Sequence, residues 1–204
     1  MGTESSLAET RDEEILRAAF AVFTDKGFHG ATMLDVAKRA RASKATLYGR
    51  FSNKEALFKA LVAWGTQQGA EALSAIAADE SLDPLATLNR YAARLLSQML
   101  QPEKLALFRI AVAEGARVPE VGAIYSDATR EHGVMLGRKL AARMVDAGLV
   151  RIDEPEAFGH AFMGLLQGEL FTRALLGVIP PPSHAEIETH ARNAMSRLVR
   201  AFAP

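Results

Sequence analysis

The sequence predicts an all-α protein of about nine helices, a small three-helix head followed by a larger helical body. Three observations carry this. Apolar residues recur three and four apart along most of the chain, the spacing of one helix face, and no stretch alternates as a strand would. Helix-start chemistry recurs, with Thr32 three residues before Asp35, Ser52 three before Glu55, and Asp83 followed by Pro84. Glycine and proline punctuate the rest, Gly27 and Gly148 closing helices and Pro102, Pro119 and Pro155 opening them.

Residues 1–9 lack aromatic anchors and periodicity and are predicted to be a flexible tail. The head is expected over 10–52 and the body over 53–204. Thr10 and Glu13 open a first helix to about Asp25, with Ile15, Leu16, Ala19, Phe20 and Phe23 along one side and Gly27 as the residue that ends it. Thr32 and Asp35 begin a second helix at Met33, with Leu34, Val36, Ala37 and Ala40 as its apolar side. Arg41 and Ala42 make a tight connection. Ser43 then caps a third helix, KATLYGR, only about two turns long.

Two short helices joined by three or four residues, the second exposing Lys44, Thr46, Tyr48 and Arg50, are what a helix-turn-helix DNA reader requires. Leu47 and Phe51, four apart, are placed to hold the second helix. Lys44 and Thr46 are placed for base edges or phosphates, and Tyr48 and Lys54 for phosphate oxygens. Eight basic residues between Lys26 and Lys59 face only Asp35 and Glu55, a local excess of six positive charges on a chain whose net charge is zero. A cationic patch on a neutral molecule is the footprint of a polyanion-binding surface.

The pattern T-x-x-x-V-A-x-x-A-x-x-S-x-x-T-L-Y-x-x-F-x-x-K-E-A-L, from Thr32 to Leu57, resembles the DNA-binding signature of the TetR family of bacterial transcriptional regulators; the likeness runs from Ile15 to Phe58. The family commonly has Gly-Val where this chain has Arg41-Ala42, so Arg41 is expected to carry a strained positive φ or the turn to differ. The resemblance implies DNA contacts at Thr32, Arg41, Ser43, Lys44, Ala45, Thr46, Tyr48, Gly49, Arg50 and Lys54. It implies a homodimer that reads the two halves of a palindromic operator. It further implies repression relieved when a small, largely apolar effector moves the helix after the head. The body segments AEGARVPEVGAIY and LLQGELFTRALLG resemble the AefR-like C-terminal class.

In the body, a long helix is predicted from Asn53 to about Ala78, interrupted by Gly65 and Gly69, which mark close packing or a bend. Helices follow from Pro84, from Pro102 (apolar on nearly every side, hence buried) and from Pro119, the last with a possible break near Gly133 and Gly137. The helix opened by Pro155 has large apolar residues on more than one side, and the final helix repeats Ile187, Ala191, Ala194, Leu198 and Phe202 as a single seam. Phe158, Phe162, Leu165 and that seam are the candidate dimer interface. Trp64, Phe108, Tyr125, His132, Phe162, Gln167 and Glu169 combine aromatic bodies with polar groups and are the candidate effector contacts.

Other function classes find little support. There are no cysteines, which removes disulfides, thiolate metal sites and cysteine nucleophiles and fits a reducing cytoplasm. The amino-terminal stretch is polar and acidic, unlike a secretory signal, and uncharged runs reach about a dozen residues, short of the ~18 that a membrane span needs. Glu156 with His160 and Glu186 with His190 are spaced to share a metal or a proton, yet no third ligand accompanies either. No phosphate-cradling loop or nucleophile elbow occurs, so no metal, no cofactor and no enzyme activity is expected. An effector-independent activator or architectural protein is the alternative within DNA binding.

Overall fold

A computed structural model describes residues 11–128 and 139–204. Ten helices appear: α1 (Gly2–Gly30), α2 (Met33–Arg39), α3 (Lys44–Arg50), α4 (Lys54–Gln67), α5 (Ala70–Ala78), α6 (Pro84–Met99), α7 (Pro102–Gly115), α8 (Pro119–Asp146), α9 (Pro155–Leu176) and α10 (His184–Ala201). Among the described residues there is no strand. The chain divides into two compact units, Met1–Gln67 with Ala106–Ala128, and Gln68–Leu105 with Thr129–Pro204. The tail expected over 1–9, the cap at Thr10, and the break expected near Gly133 and Gly137 lie outside the described residues.

The first unit is built around three phenylalanine rings. Phe23, Phe28 and Phe58 stand with centroids 5.4–5.8 Å apart in tilted and edge-on pairs, all buried, alongside Ile15, Ala19, Leu57 and Leu61. Reaching that cluster from the end of α1 requires the chain to turn. Gly27 provides the turn at φ 69° and ψ 167°, so the first helical run ends there as expected and a short further run carries α1 to Gly30. A side chain at Gly27 would also meet Glu114 of α7, whose Oε1 lies 2.9 Å from where a Cβ would stand.

Helix α2 begins as the sequence predicts. The Thr32 hydroxyl accepts from the Asp35 amide at 3.1 Å, and Asp35 Oδ2 accepts from the Thr32 amide at 3.0 Å, closing a capping box. Val36, Ala37 and Ala40 are buried, but Leu34 is 52% exposed. Leu34 lies about 100° around the helix from Met33, outside the stripe that Met33, Val36, Ala37 and Ala40 turn to the core. Helix α4 starts one residue later than expected, because the Asn53 side chain and not Ser52 accepts from the Ala56 amide, at 2.7 Å. Leu105, Leu107, Ile110 and Ala111 of α7 are buried as anticipated, whereas Val112 is 63% exposed, so that helix is not covered on every side.

The helix predicted from Asn53 to Ala78 is two helices, which accounts for ten elements instead of nine. Gly69 breaks it at φ 90°. Side chains hold the break: the Gly69 carbonyl, which accepts from the Leu73 amide at 3.2 Å to start α5, also accepts from Nε2–H of the buried Gln98 at 2.9 Å, and Lys104 Nζ donates to Gln68 O at 3.2 Å. A Cβ at Gly69 would stand 2.2 Å from Gln98 Nε2, so close packing and a bend coincide at this residue. At the other end of α5, Arg143 donates to the carbonyls of Asp79 at 2.9 Å and Leu82 at 3.0 Å.

In the second unit α10 lies against α6 and α9. Ile187, Ala191, Ala194 and Leu198 are buried within the chain itself, as are Phe158 and Phe162. Phe158 meets Phe202 edge-on at 5.2 Å and Phe162 meets Tyr91 at 6.2 Å. The seam expected to pair with a twin is therefore core of this chain, with Leu165 and Phe202 half-buried at its edge. A four-three-four-four spacing identifies an apolar side of a helix but not which partner covers it. Helix α9 is itself kinked at Gly168, where the His190 ring nitrogen Nε2 stands 2.8 Å from the Leu166 carbonyl.

The capping box at α2 has a measurable acid signature. Hydrogen bonds from Lys26 and from Thr32 lower the Asp35 carboxyl from 3.8 to about 2. A carboxyl held low in the folded state contributes stability above its ordinary pKa that disappears as pH falls through the folded value. The stability gap between the unaltered protein and Asp35→Asn, read by denaturant unfolding, is expected to be full at pH 5, to shrink between about pH 4 and about pH 2, and to close below that. A gap independent of pH over that range would contradict the assignment.

Candidate nucleic-acid interface

Helices α2 and α3 are joined by four residues, Ala40 to Ser43. Two hydrogen bonds shape the turn, Arg41 N–H to Lys38 O at 3.2 Å and Ala42 N–H to Ala37 O at 2.9 Å. Arg41 adopts φ 49°, the one positive φ outside glycine among the described residues. The strain foreseen for a non-glycine residue here is present, at a cost of about 1–2 kcal/mol. Ser43 then caps α3, its hydroxyl accepting from the Thr46 amide at 2.9 Å. Leu47 is the buried residue of α3, and Phe51 is half-buried against the same core.

The outward side of α3 carries Lys44, Ala45, Tyr48 and Gly49, all exposed, and Tyr48 is 45% accessible. Lys44 Nζ lies 5.6 Å from the centre of the Tyr48 ring, so the cation and the phenol form one patch. Apart from its chain neighbours and its own helix backbone, nothing among the described residues comes within 4 Å of where a Cβ would stand at Gly49, which leaves its backbone open to close approach. Arg41 is exposed beside them. Thr46 is half-buried, its hydroxyl 2.8 Å from that of Ser43.

Other residues of the expected contact set are engaged within the chain. Thr32 and Ser43 use their hydroxyls as helix caps. Arg50 pairs with Asp12 of α1. Lys54 points inward: its ammonium donates to the carbonyls of Phe28 at 2.6 Å, Ala31 at 3.0 Å and His29 at 3.3 Å, and sits 4.5 Å over the Phe28 ring. It closes the end of α1 where a phosphate contact was expected.

The charge reading changes accordingly. Asp12 and Asp25 lie before the window that was counted, yet they pair with Arg50 and Arg39, and Lys26 pairs with Asp35 at 2.7 Å. Lys38, Arg41, Lys44 and Lys59 have no acidic partner among the described residues, so the outward positive charge concentrates near the turn and α3. Arg11, Asp12 and Asp25 were missed by sequence reasoning. They stand 14 to 38 positions from the groups they hold, and no local spacing announces such a pair.

The candidate effector residues fall into different settings. Trp64, Phe108 and Tyr125 belong to the first unit, and Phe162, Gln167 and Glu169 to the second. Trp64 carries the Arg17 guanidinium 6.0 Å from the centre of its ring, and Phe108 and Tyr125 meet in a tilted pair at 5.3 Å. Burial pushes the Tyr125 phenol up to about 12. Phe162 is core, Gln167 is half-buried, and Glu169 is exposed beside Arg173 at 3.6 Å. His132 lies outside the described residues. The surface grooves include one of about 450 Å³ lined by Leu170, Ala185, Glu186, Thr189, His190 and Asn193, and one of about 430 Å³ lined by Val22, Asp25, Lys26, Asp35, Lys38 and Arg39. Neither includes a candidate effector residue.

Of the two pairs spaced for a metal, Glu186 caps Ser183 at the start of α10 and His190 faces the Leu166 carbonyl. Among the described residues no cluster of three metal-ligating side chains occurs, and no helix is long and apolar enough to cross a membrane.

Comparison with known proteins agrees with this architecture. Residues 15–61 match the model of the bacterial regulatory proteins of the tetR family, and residues 86–204 match that of the AefR-like transcriptional repressor C-terminal domain. The Escherichia coli K12 transcriptional regulator UidR is 42% identical over 62 residues, which is 30% of each chain. A solved TetR-family regulator from Mesorhizobium loti superposes with a TM-score of 0.81 at 26% identity, covering 96% of this chain and 98% of that one. The flavonoid-responsive regulator FrrA superposes at 0.74 with 25% identity over 96% of this chain and 98% of its own. With a capped, outward-facing α3 in its head and an AefR-like body, the chain belongs to the tetR family of helix-turn-helix transcriptional regulators.

Proposed function

We propose that this regulator is a repressor that binds a palindromic operator as a homodimer and is released by a small, largely apolar effector. The observation that carries the reading is α3, a two-turn helix anchored by the buried Leu47 and exposing Lys44, Ala45, Tyr48 and Gly49 together. The AefR-like repressor model across residues 86–204 supports the sign of regulation, and likeness to a flavonoid-responsive regulator supports an aromatic or apolar effector. Residues 10–52 serve as the DNA-binding domain and 53–204 as the ligand-binding and dimerising body, with 1–9 as a tail.

On this reading α3 enters the major groove by its amino-terminal half. Lys44 and Thr46 face base edges or phosphates, Tyr48 gives its hydroxyl to a phosphate, and the bare backbone at Gly49 allows close approach. A second copy presents the same helix about 34 Å, or a multiple, along the duplex. An effector with higher affinity for a state in which that spacing is lost releases both heads together, and its power is set by that difference in affinity. Because Ile187, Ala191, Ala194 and Leu198 are internal, the twin is met by the outward sides of α9 and α10, where Gly159 and Gly164 leave open space.

Two measurements test this. Selection of duplexes from a random pool with the full chain should enrich a palindrome, and Lys44→Ala and Tyr48→Phe should each weaken binding to it about tenfold, Lys44→Ala lowering the salt slope by about one. Unchanged affinity in both variants at fixed salt would remove α3 from the role of reader. For the dimer, Gly164→Arg places a charge where the chain itself has room, so the helical fold should survive while sedimentation reports a monomer. A dimer of unchanged mass would exclude this part of α9 from the interface.

A further inference from the structure

The turn between α2 and α3 is fastened from outside, at a point that neither helix supplies. The carbonyl of Arg41, the residue at φ 49°, accepts a hydrogen bond from Arg11 Nη2 at 3.0 Å, thirty positions earlier in the chain. The other nitrogen of that guanidinium is held by Glu14 at 2.5 Å, so the fork is aimed by α1 itself. One residue further on, Asp12 pairs with Arg50, the last residue of α3. The turn that precedes the reader helix and the residue that ends it are thus both tied to a single turn of α1.

A left-handed residue other than glycine persists only where its surroundings over-determine it. The amides of Arg41 and Ala42 are fixed by α2, through Lys38 O and Ala37 O. The Ala42 amide and the Arg41 carbonyl are the two edges of one peptide plane, so Ala37 O holds that plane by its N–H edge and Arg11 holds it by its C=O edge, and this plane leads through Ala42 to Ser43 and α3. A charge-assisted bond from a guanidinium is stronger and more directional than one from water. We propose that Arg11 is a positioning residue for DNA binding, whose guanidinium holds the strained Arg41 turn and so fixes the direction in which α3 is presented. This rests on α3 being the reader. It does not require Arg11 to touch DNA.

The test is a cycle of Arg11→Ala and Arg41→Gly, alone and combined, in the full chain. Two quantities are read: amide hydrogen exchange over residues 42–51, and affinity for the duplex enriched by the unaltered protein from a random pool. Arg11→Ala should speed exchange severalfold and weaken duplex binding about tenfold with the salt slope unchanged. In the Arg41→Gly background both effects should shrink by at least half, because glycine adopts the positive φ without help. Equal effects in the two backgrounds overturn the proposal, and so does a salt slope lowered by about one, which marks a phosphate ligand. If Arg11→Ala fails to fold, rescue by Arg41→Gly supports the proposal and absence of rescue counts against it. Exchange is read without DNA, so failure to enrich any duplex would sink the operator reading while the exchange cycle still decides this one.

Discussion

Leu47 is the one side chain of α3 that is buried, and it is buried completely. A helix of seven residues has no stability of its own: nucleation at ~10⁻³ amounts to about 4 kcal/mol against it. Burial of one leucine contributes about 1.5–3 kcal/mol and a serine cap about 1 kcal/mol. These terms roughly balance, so α3 exists because the surrounding unit holds it, and small changes in the turn before it carry weight. The three phenylalanine rings, the capped α2 and the closed end of α1 together make the rigid bed on which one leucine suffices.

The same economy explains how charge is used in the head. A DNA-reading surface needs cations that are free to meet phosphate, yet a small domain also needs its loops tied down. The chain divides its basic residues between the two tasks. Lys26, Arg39, Arg50 and Lys54 are spent on carboxylates or carbonyls of the head itself, and Lys44 stands on the outward side of α3 with Tyr48. Exposed ion pairs of this kind contribute little stability each, but they fix where long side chains lie.

What could be read from the sequence was local. The caps at Thr32, Ser43 and Asp83 are where the spacing places them, because a hydroxyl or carboxylate within three residues of an orphan amide needs no tertiary information. The positive φ at Arg41 was one of the two outcomes implied by the glycine that the family commonly has there, since glycine adopts that conformation at little cost. Non-local partners were not legible. An apolar side on α10 is covered by α6 and α9 of the same chain, Lys54 turns toward α1, and Gly69 breaks a helix whose pattern alone could continue. The candidate effector residues are divided between the two units, and aromatic bodies near polar groups describe a packed core as well as a pocket, so their pattern alone does not group them.

The central claim is that the outward side of α3 meets the duplex, and the absence of cysteine allows it to be tested at a single atom. Ala45→Cys, exposed on α3, and Ser74→Cys, exposed on α5, can each be titrated with a maleimide in the presence and absence of the duplex enriched by the protein. The duplex is expected to protect Cys at position 45 strongly and to leave position 74 as reactive as before. Equal reactivity at position 45 with and without saturating duplex would contradict it.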